Sequence, residues 1–190
     1  MHKILCKKLL GIVVLGLLWC EVSLALPKCE GNNYKNWRNC SGTFTNEDGH
    51  KYTGSFDGNG KRFGYSEIKY SDGEYYLGYY ENDMKHGMGI YKYTDGTIYS
   101  GEFKNNLFDG HGIVESSVKW NLVGEFKEDN LIRGTVKYDD GEIFTGTFCI
   151  HIHPAQRRFE LFHYQGTWIL SDGSVRNGTK DCKTRKFTPN

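Results

Sequence analysis

No apolar stretch of this 190-residue chain reaches the roughly 20 residues that a membrane-spanning helix needs. The longest, Leu9 to Trp19, stops well short. Nor is there a surplus of one charge. Lys and Arg number 24 against 23 Asp and Glu, so the basic excess of a nucleic-acid binder is missing and no nucleic-acid partner is expected. G-x-S-x-G, the P-loop, H-E-x-x-H and C-x-x-C are all absent. Their absence removes the usual nucleophile-elbow, nucleotide, zinc-protease and thiol-redox chemistries. Gly58-Asn59-Gly60 before Lys61-Arg62 has the glycines of a phosphate cradle, but no helix follows it. The expectation is a protein that binds rather than catalyses, with no cofactor.

What is there begins with an address. Lys3, Lys7 and Lys8 precede the short apolar run, Glu21 ends it, and Ser23-Leu24-Ala25 places small residues at −3 and −1. That is the layout of a secretory signal peptide over residues 1–25, so the chain is expected to be exported, periplasmic or secreted. An uncleaved anchor is the alternative. A lipoprotein at Cys20 is disfavoured by the bulky Trp19 beside it. Beyond the signal lie Cys29, Cys40, Cys149 and Cys182. An even count in an exported chain reads as disulfides, and four cysteines allow three connectivities. Cys29–Cys40 and Cys149–Cys182 are the expected pairs, because they secure the two ends of a repeat. Asn39-Cys40-Ser41 and Asn177-Gly178-Thr179 match the glycosylation sequon.

The repeat is carried by glycine. Gly54, Gly78, Gly101, Gly124, Gly146 and Gly178 are spaced 24, 23, 23, 22 and 32 residues apart, and most are flanked by aromatics at ±2. Asp-Gly pairs stand five residues earlier, at Gly49, Gly73, Gly96, Gly141 and Gly173; Ser117-Val118-Lys119 has lost the signal. A fixed period of this length means an array of one supersecondary unit. The unit "GIYKYTDGTIYSGEF" is two β-prone arms around Asp95-Gly96, which predicts a hairpin with a type I′ turn. Tyr99, Gly101 and Phe103 share a face, and an aromatic ring from the next strand is expected over the bare glycine. "NDMKHGMG" (82–89) and "NNLFDGHG" (105–112) are expected to be the loops that return the chain. The prediction is an all-β antiparallel meander in a single twisted sheet.

The residues Tyr52-Thr53-Gly54-Ser55-Phe56, Tyr76-Leu77-Gly78-Tyr79-Tyr80 and Tyr99-Ser100-Gly101-Glu102-Phe103 resemble the MORN (membrane occupation and recognition nexus) repeat family. Lys85-His86-Gly87-Met88-Gly89 and Asp109-Gly110-His111-Gly112 extend the likeness, and Gly124, Phe126, Phe144, Gly146 and Phe148 continue it in weaker form. The resemblance implies tandem hairpins over 42–148, used as a scaffold or binding module. Around them the expected divisions are a disulfide cap at 26–41, an insertion at 149–165, and a degraded last hairpin with a basic tail at 166–190.

The insertion is the first place to look for chemistry. Cys149, His151 and His153 alternate and His163 lies nearby, a set that suits Zn²⁺ or copper. The plainer reading makes Cys149 a disulfide cysteine and the histidines solvated, and it is preferred. His86 and His111 read as loop residues. Residues 157–190 carry seven basic and three acidic side chains, so Arg157 and Arg158 are the expected contact with a partner. That partner is a protein or envelope component, or else an anionic membrane surface. A small metalloprotein or hydrolase built on 149–164 is the third possibility. The outer face of the hairpins is expected to be polar (Thr53, Ser55, Ser100, Glu102, Glu125, Thr145, Thr147), interrupted by Leu77, Tyr79 and Val123.

Overall fold

The computed structural model describes residues 25–149, 162–180 and 187–189. They form one sheet of thirteen strands in sequence order. The strands are β1 (Cys40–Thr45), β2 (Lys51–Phe56), β3 (Arg62–Lys69), β4 (Tyr75–Glu81), β5 (Met84–Lys92), β6 (Ile98–Lys104), β7 (Leu107–Glu115), β8 (Trp120–Lys127), β9 (Asn130–Tyr138), β10 (Ile143–Cys149), β11 (Phe162–Ile169), β12 (Val175–Lys180) and β13 (Phe187–Pro189). Each pairs antiparallel with the next, as the repeat period predicted. β11 begins inside the stretch expected as an insertion, so the long connection between β10 and β11 is 150–161.

Two kinds of turn alternate, and they are distributed differently from the sequence prediction. At Asp95-Gly96 only the glycine has positive φ, +91°. Gly96 N–H donates to the Tyr93 carbonyl, Tyr93 N–H to the Thr97 carbonyl, and the Asp95 carboxylate accepts from Thr97 N–H at 2.8 Å. This is a type I turn closed by a left-handed glycine bulge, not a type I′ turn. The type I′ turns are Asn82-Asp83, Asn105-Asn106 and Glu128-Asp129, each with both residues at positive φ. The expected returning loops therefore shrink to two residues, and Met84–Lys92 and Leu107–Glu115 are strands. Lys119, at φ 34°, takes the glycine position in the turn that lacks Asp-Gly.

The type I′ turns also lock one repeat to the preceding one. Arg62 N–H donates to Asp83 Oδ1, while Asp83 N–H donates to the Arg62 carbonyl. Lys85 with Asn106, and Phe108 with Asp129, make the same reciprocal pair 21 residues apart.

Across the sheet the glycines fall into a row. Gly78, Gly89, Gly101, Gly112, Gly124, Gly134, Gly146, Gly166 and Gly178 are register partners in succession from β4 to β12. A Cβ on Gly101 would stand 2.5 Å from the His111 carbonyl oxygen and 2.6 Å from Gly112 Cα. Side chains are excluded there by neighbouring backbone as well as by rings. The ring over Gly101 is that of Tyr99, from the same strand, and it also covers Gly112 on the next. Tyr76 covers Gly78 and Gly89 in the same way, and Phe144 covers Gly146 and Gly166. The ring expected from the next strand comes instead from the glycine's own strand, and the second glycine of each pair is covered from the preceding strand.

Each tyrosine hydroxyl then finds a carbonyl at a β-bulge. Tyr52 donates to Ser55, Tyr76 to Tyr79 and Tyr99 to Glu102, each three residues ahead, where the register shifts. Phe56, Tyr80, Phe103 and Phe126 pack edge-on against these rings to make a continuous buried ladder on the inner face. Burial holds the Tyr76, Tyr80 and Tyr99 hydroxyls far above the usual phenol range. At the β1 end, Cys29 and Cys40 are joined by a disulfide, and Trp37 sits edge-on to Phe44 and Phe56 over Gly42.

Candidate partner-binding face

Most of the inner face is covered by its own rings, so the broad surface open to a partner is the outer one. Strand alternation puts every second residue there, and register decides which of them meet. Leu77, Ile90, Ser100, Ile113 and Val123 are successive partners on β4 to β8. Beside them Tyr65 pairs with Tyr79, their rings 5.4 Å apart and edge-on, and Met88 lies on the adjoining strand. Tyr65 and Met88 are each 58% exposed, Tyr79 51% and Val123 60%. The result is aromatic and aliphatic surface on β3 to β5 and on β7 and β8, joined through Ser100 on β6. Exposed apolar side chains clustered in this way differ from the singly scattered ones of ordinary surface.

The margins of the patch are polar. Thr43 with Thr53 and Thr135 with Thr145 share hydroxyl hydrogen bonds of 3.0 Å at its two ends. Ser41, Thr53, Ser55, Tyr65, Glu67 and Leu77 help to line a shallow depression at the β1 end. Along one side run the exposed side chains of Lys51, Lys69 and Lys92, with Tyr75 in line between the last two. Along the other run Glu102, His111, Glu125 and Arg133. His111 N–H donates to Glu102 at 2.7 Å, and Arg133 Nε to Glu125 at 2.6 Å. Both His86, near Glu81, and His111 lie on strands rather than in loops.

The residues 76–98 and 99–116 match the family model of the MORN repeat. This chain carries MORN repeats. The two matched units of the MORN array hold the middle of the patch, from Leu77 to Ile113. No curated protein matches the chain in sequence. Among solved structures it is similar to the SAS-4 (dCPAP) TCP domain of Drosophila melanogaster, in complex with a proline-rich motif of Ana2 (dSTIL), at 15% identity. That match covers 74% of this chain and 90% of the other, with a TM-score of 0.32. It is also similar to the wild-type TCP10 domain of Danio rerio CPAP, in complex with a peptide of Danio rerio STIL, at 12% identity. Here 78% of this chain and 97% of the other are covered, with a TM-score of 0.24. At these scores neither likeness carries a functional argument.

Of the residues singled out in the insertion and for the second disulfide, only the backbones of Cys149 and His163 are described. Cys149 pairs with Phe162, and His163 with Phe148 across a bulge in β11's register. His151, His153, Arg157, Arg158 and Cys182, the signal stretch 1–24 and the side chains of Cys149 and His163 lie outside the described residues. Among the described residues no three His, Cys, Asp or Glu side chains converge as metal ligands do. The expected outer polar residues take their places, but Leu77, Tyr79 and Val123 are not isolated interruptions. Tyr65, Met88, Ile90 and Ile113 join them.

Proposed function

We propose that this chain is a non-enzymatic binding module that engages a protein partner through the outer face of its MORN array, in an exported compartment. The observation that carries this reading is the exposed patch of Tyr65, Tyr79, Met88, Ile90, Ile113 and Val123 on neighbouring strands. Aromatic and methionine side chains framed by polar rims are the composition of interface centres. The compartment rests on the signal-like residues 1–25 and on the cysteine count.

The test is a charged double substitution in the patch, Tyr79→Glu with Ile90→Glu, in the otherwise intact chain. Both side chains point away from the buried ladder, so the melting temperature should hold. Wild type should retain a protein from the envelope or extracellular fraction of the source cells that the variant releases. Equal retention by both proteins ends the proposal.

A second reading has one observation in its favour. Lys51, Lys69 and Lys92 border the apolar row directly, an arrangement that also suits an anionic membrane surface. Under that reading Lys69→Gln with Lys92→Gln abolishes sedimentation with phosphatidylserine vesicles. Salt does the same, because screening at about 0.15 M acts over about 8 Å.

A further inference from the structure

On the inner face, between the β1 end and the β6–β7 turn, lies a cleft of about 260 Å³. Its floor is aromatic and aliphatic: Phe44, Tyr52, Ile68, Tyr70 and Tyr80. Its rim is Asn46, His50, Arg62, Lys85 and Asn106, and no carboxylate lines it.

The acceptors of this rim are already in use. Asn46 Oδ1 accepts from His50 N–H at 2.8 Å. His50 Nδ1 accepts from Ser71 N–H at 3.1 Å, so the neutral ring carries its proton on Nε2. Asn106 Oδ1 accepts from Lys85 N–H at 2.8 Å, which fixes the amide and leaves Nδ2 as the group it offers. Arg62 gives Nε and Nη2 to Asp83 and keeps Nη1. Its guanidinium lies 4.8 Å from the Tyr80 ring centroid, and the Lys85 ammonium lies 4.3 Å from that of Tyr91. The cation-attracting π faces of these rings are thus occupied by the protein's own side chains. What remains at the rim is N–H donors, the Arg62 charge being already paired with Asp83.

One residue sharpens the point. The turn lock formed by Asn106 needs only Oδ1, and the corresponding turns use Asp83 and Asp129 for the same bond. Of these three locks, only the one that faces this cleft uses an amide. An aspartate there would keep the lock and place a negative charge on the rim.

We infer that the cleft is a binding site for a small organic carboxylate carried on an aromatic or apolar body. The oxygens accept from Asn106 Nδ2, His50 Nε2 and Arg62 Nη1, and the body rests on the floor. Ligand pockets commonly span about 300–1,000 Å³, so a cleft just below that range takes one ring with its acid group. The site is on the opposite face from the proposed partner surface and stands or falls separately from it.

The experiment uses the full exported chain and three probes that share a ring: phenylacetate, phenyl phosphate and benzylammonium. Binding is followed by the side-chain amide NMR signals of Asn46 and Asn106 and by calorimetry. Phenylacetate should bind saturably and shift the Asn106 amide, and benzylammonium should do neither. Asn106→Asp should weaken phenylacetate by about tenfold or more, the worth of one lost charge-assisted hydrogen bond, with an unchanged melting temperature. His50→Phe, which keeps the ring on Tyr70, should weaken it as well. Binding of benzylammonium as tight as that of phenylacetate overturns the site. So does an affinity that Asn106→Asp leaves within twofold, and preference for phenyl phosphate overturns its assignment to carboxylates.

Discussion

The Tyr99 hydroxyl donates 2.9 Å to the carbonyl of Glu102, three residues ahead in its own strand and at the bulge where the register slips. One side chain therefore covers two glycines and satisfies the irregularity beside them. Tyr99→Phe keeps the ring and removes only that bond. It should cost about 0.5–1.5 kcal/mol, the net worth of a typical hydrogen bond, or somewhat more if the carbonyl is left dry. Urea unfolding of the two proteins measures it, and an unchanged midpoint would show that water takes over the carbonyl.

The glycine row should not tolerate even a methyl group. At Gly101 the added Cβ meets the backbone of β7 at 2.5 Å, and backbone cannot rotate away. Gly101→Ala should destabilise by about 1–3 kcal/mol through overpacking. Gly73→Ala, in a turn with open space around it, bears only the cost of a positive φ of 93°, about 1 kcal/mol. Thermal melts of the pair should rank Gly101→Ala as the more damaging.

How much of this was legible in the residues depends on range. The Asp-Gly turns and the Tyr-x-Gly-x-Phe units are local, and they predicted that hairpin follows hairpin in sequence order. Gly89 and Gly112 were hidden because they sit in Lys-His-Gly-Met-Gly and Asp-Gly-His-Gly, which read as loops. Only the two-residue turns at Asn82-Asp83 and Asn105-Asn106 release those stretches into strands. The outer patch was legible only in part. Leu77, Tyr79 and Val123 stand out as apolar residues on a polar face, but Ile90 and Ile113 join Leu77 and Val123 in one line through cross-strand register alone.

Alkaline pH should unfold the array. Burial raises the Tyr76, Tyr80 and Tyr99 hydroxyls far above their ordinary range and pushes Tyr138 up to about 12. A group whose folded pKa is raised lends stability that is complete below its unfolded pKa, about 10 for tyrosine. That stability is lost as pH rises from there toward the folded values. The slope approaches about 1.4 kcal/mol per pH unit for each tyrosine still protonated only in the folded state. Urea midpoints should be flat across this transition between pH 8 and 9 and fall steeply from pH 10 to 12.

Asp129 presents the reverse case. Burial raises its carboxyl, against the lowering influence of the Phe108 N–H and Lys85. The charged form is thus a burden above the ordinary carboxylate pKa, and the burden lifts as pH falls. Asp129→Asn keeps an Oδ1 acceptor for Phe108 N–H, 2.7 Å away in the wild type. It should match or exceed wild-type stability at pH 7, with the difference shrinking toward pH 4. Asp129→Ala leaves Phe108 N–H without its acceptor and should cost about 1–2 kcal/mol at either pH. Parallel melts of the two variants separate the charge from the bond.

Because each strand pairs only with its sequence neighbours, the molecule is thermodynamically a line of coupled links. Stability in such a line is the sum of link and junction energies. Opening starts where a link has one neighbour instead of two. The β1 end is clamped by the Cys29–Cys40 bond and by Trp37, which slows opening there. Amide hydrogen exchange should therefore be slowest around β5 to β8 and quicken stepwise toward the terminal strands. The units matched to the MORN repeat are then the last to open, and they keep the centre of the outer patch assembled while the ends come and go.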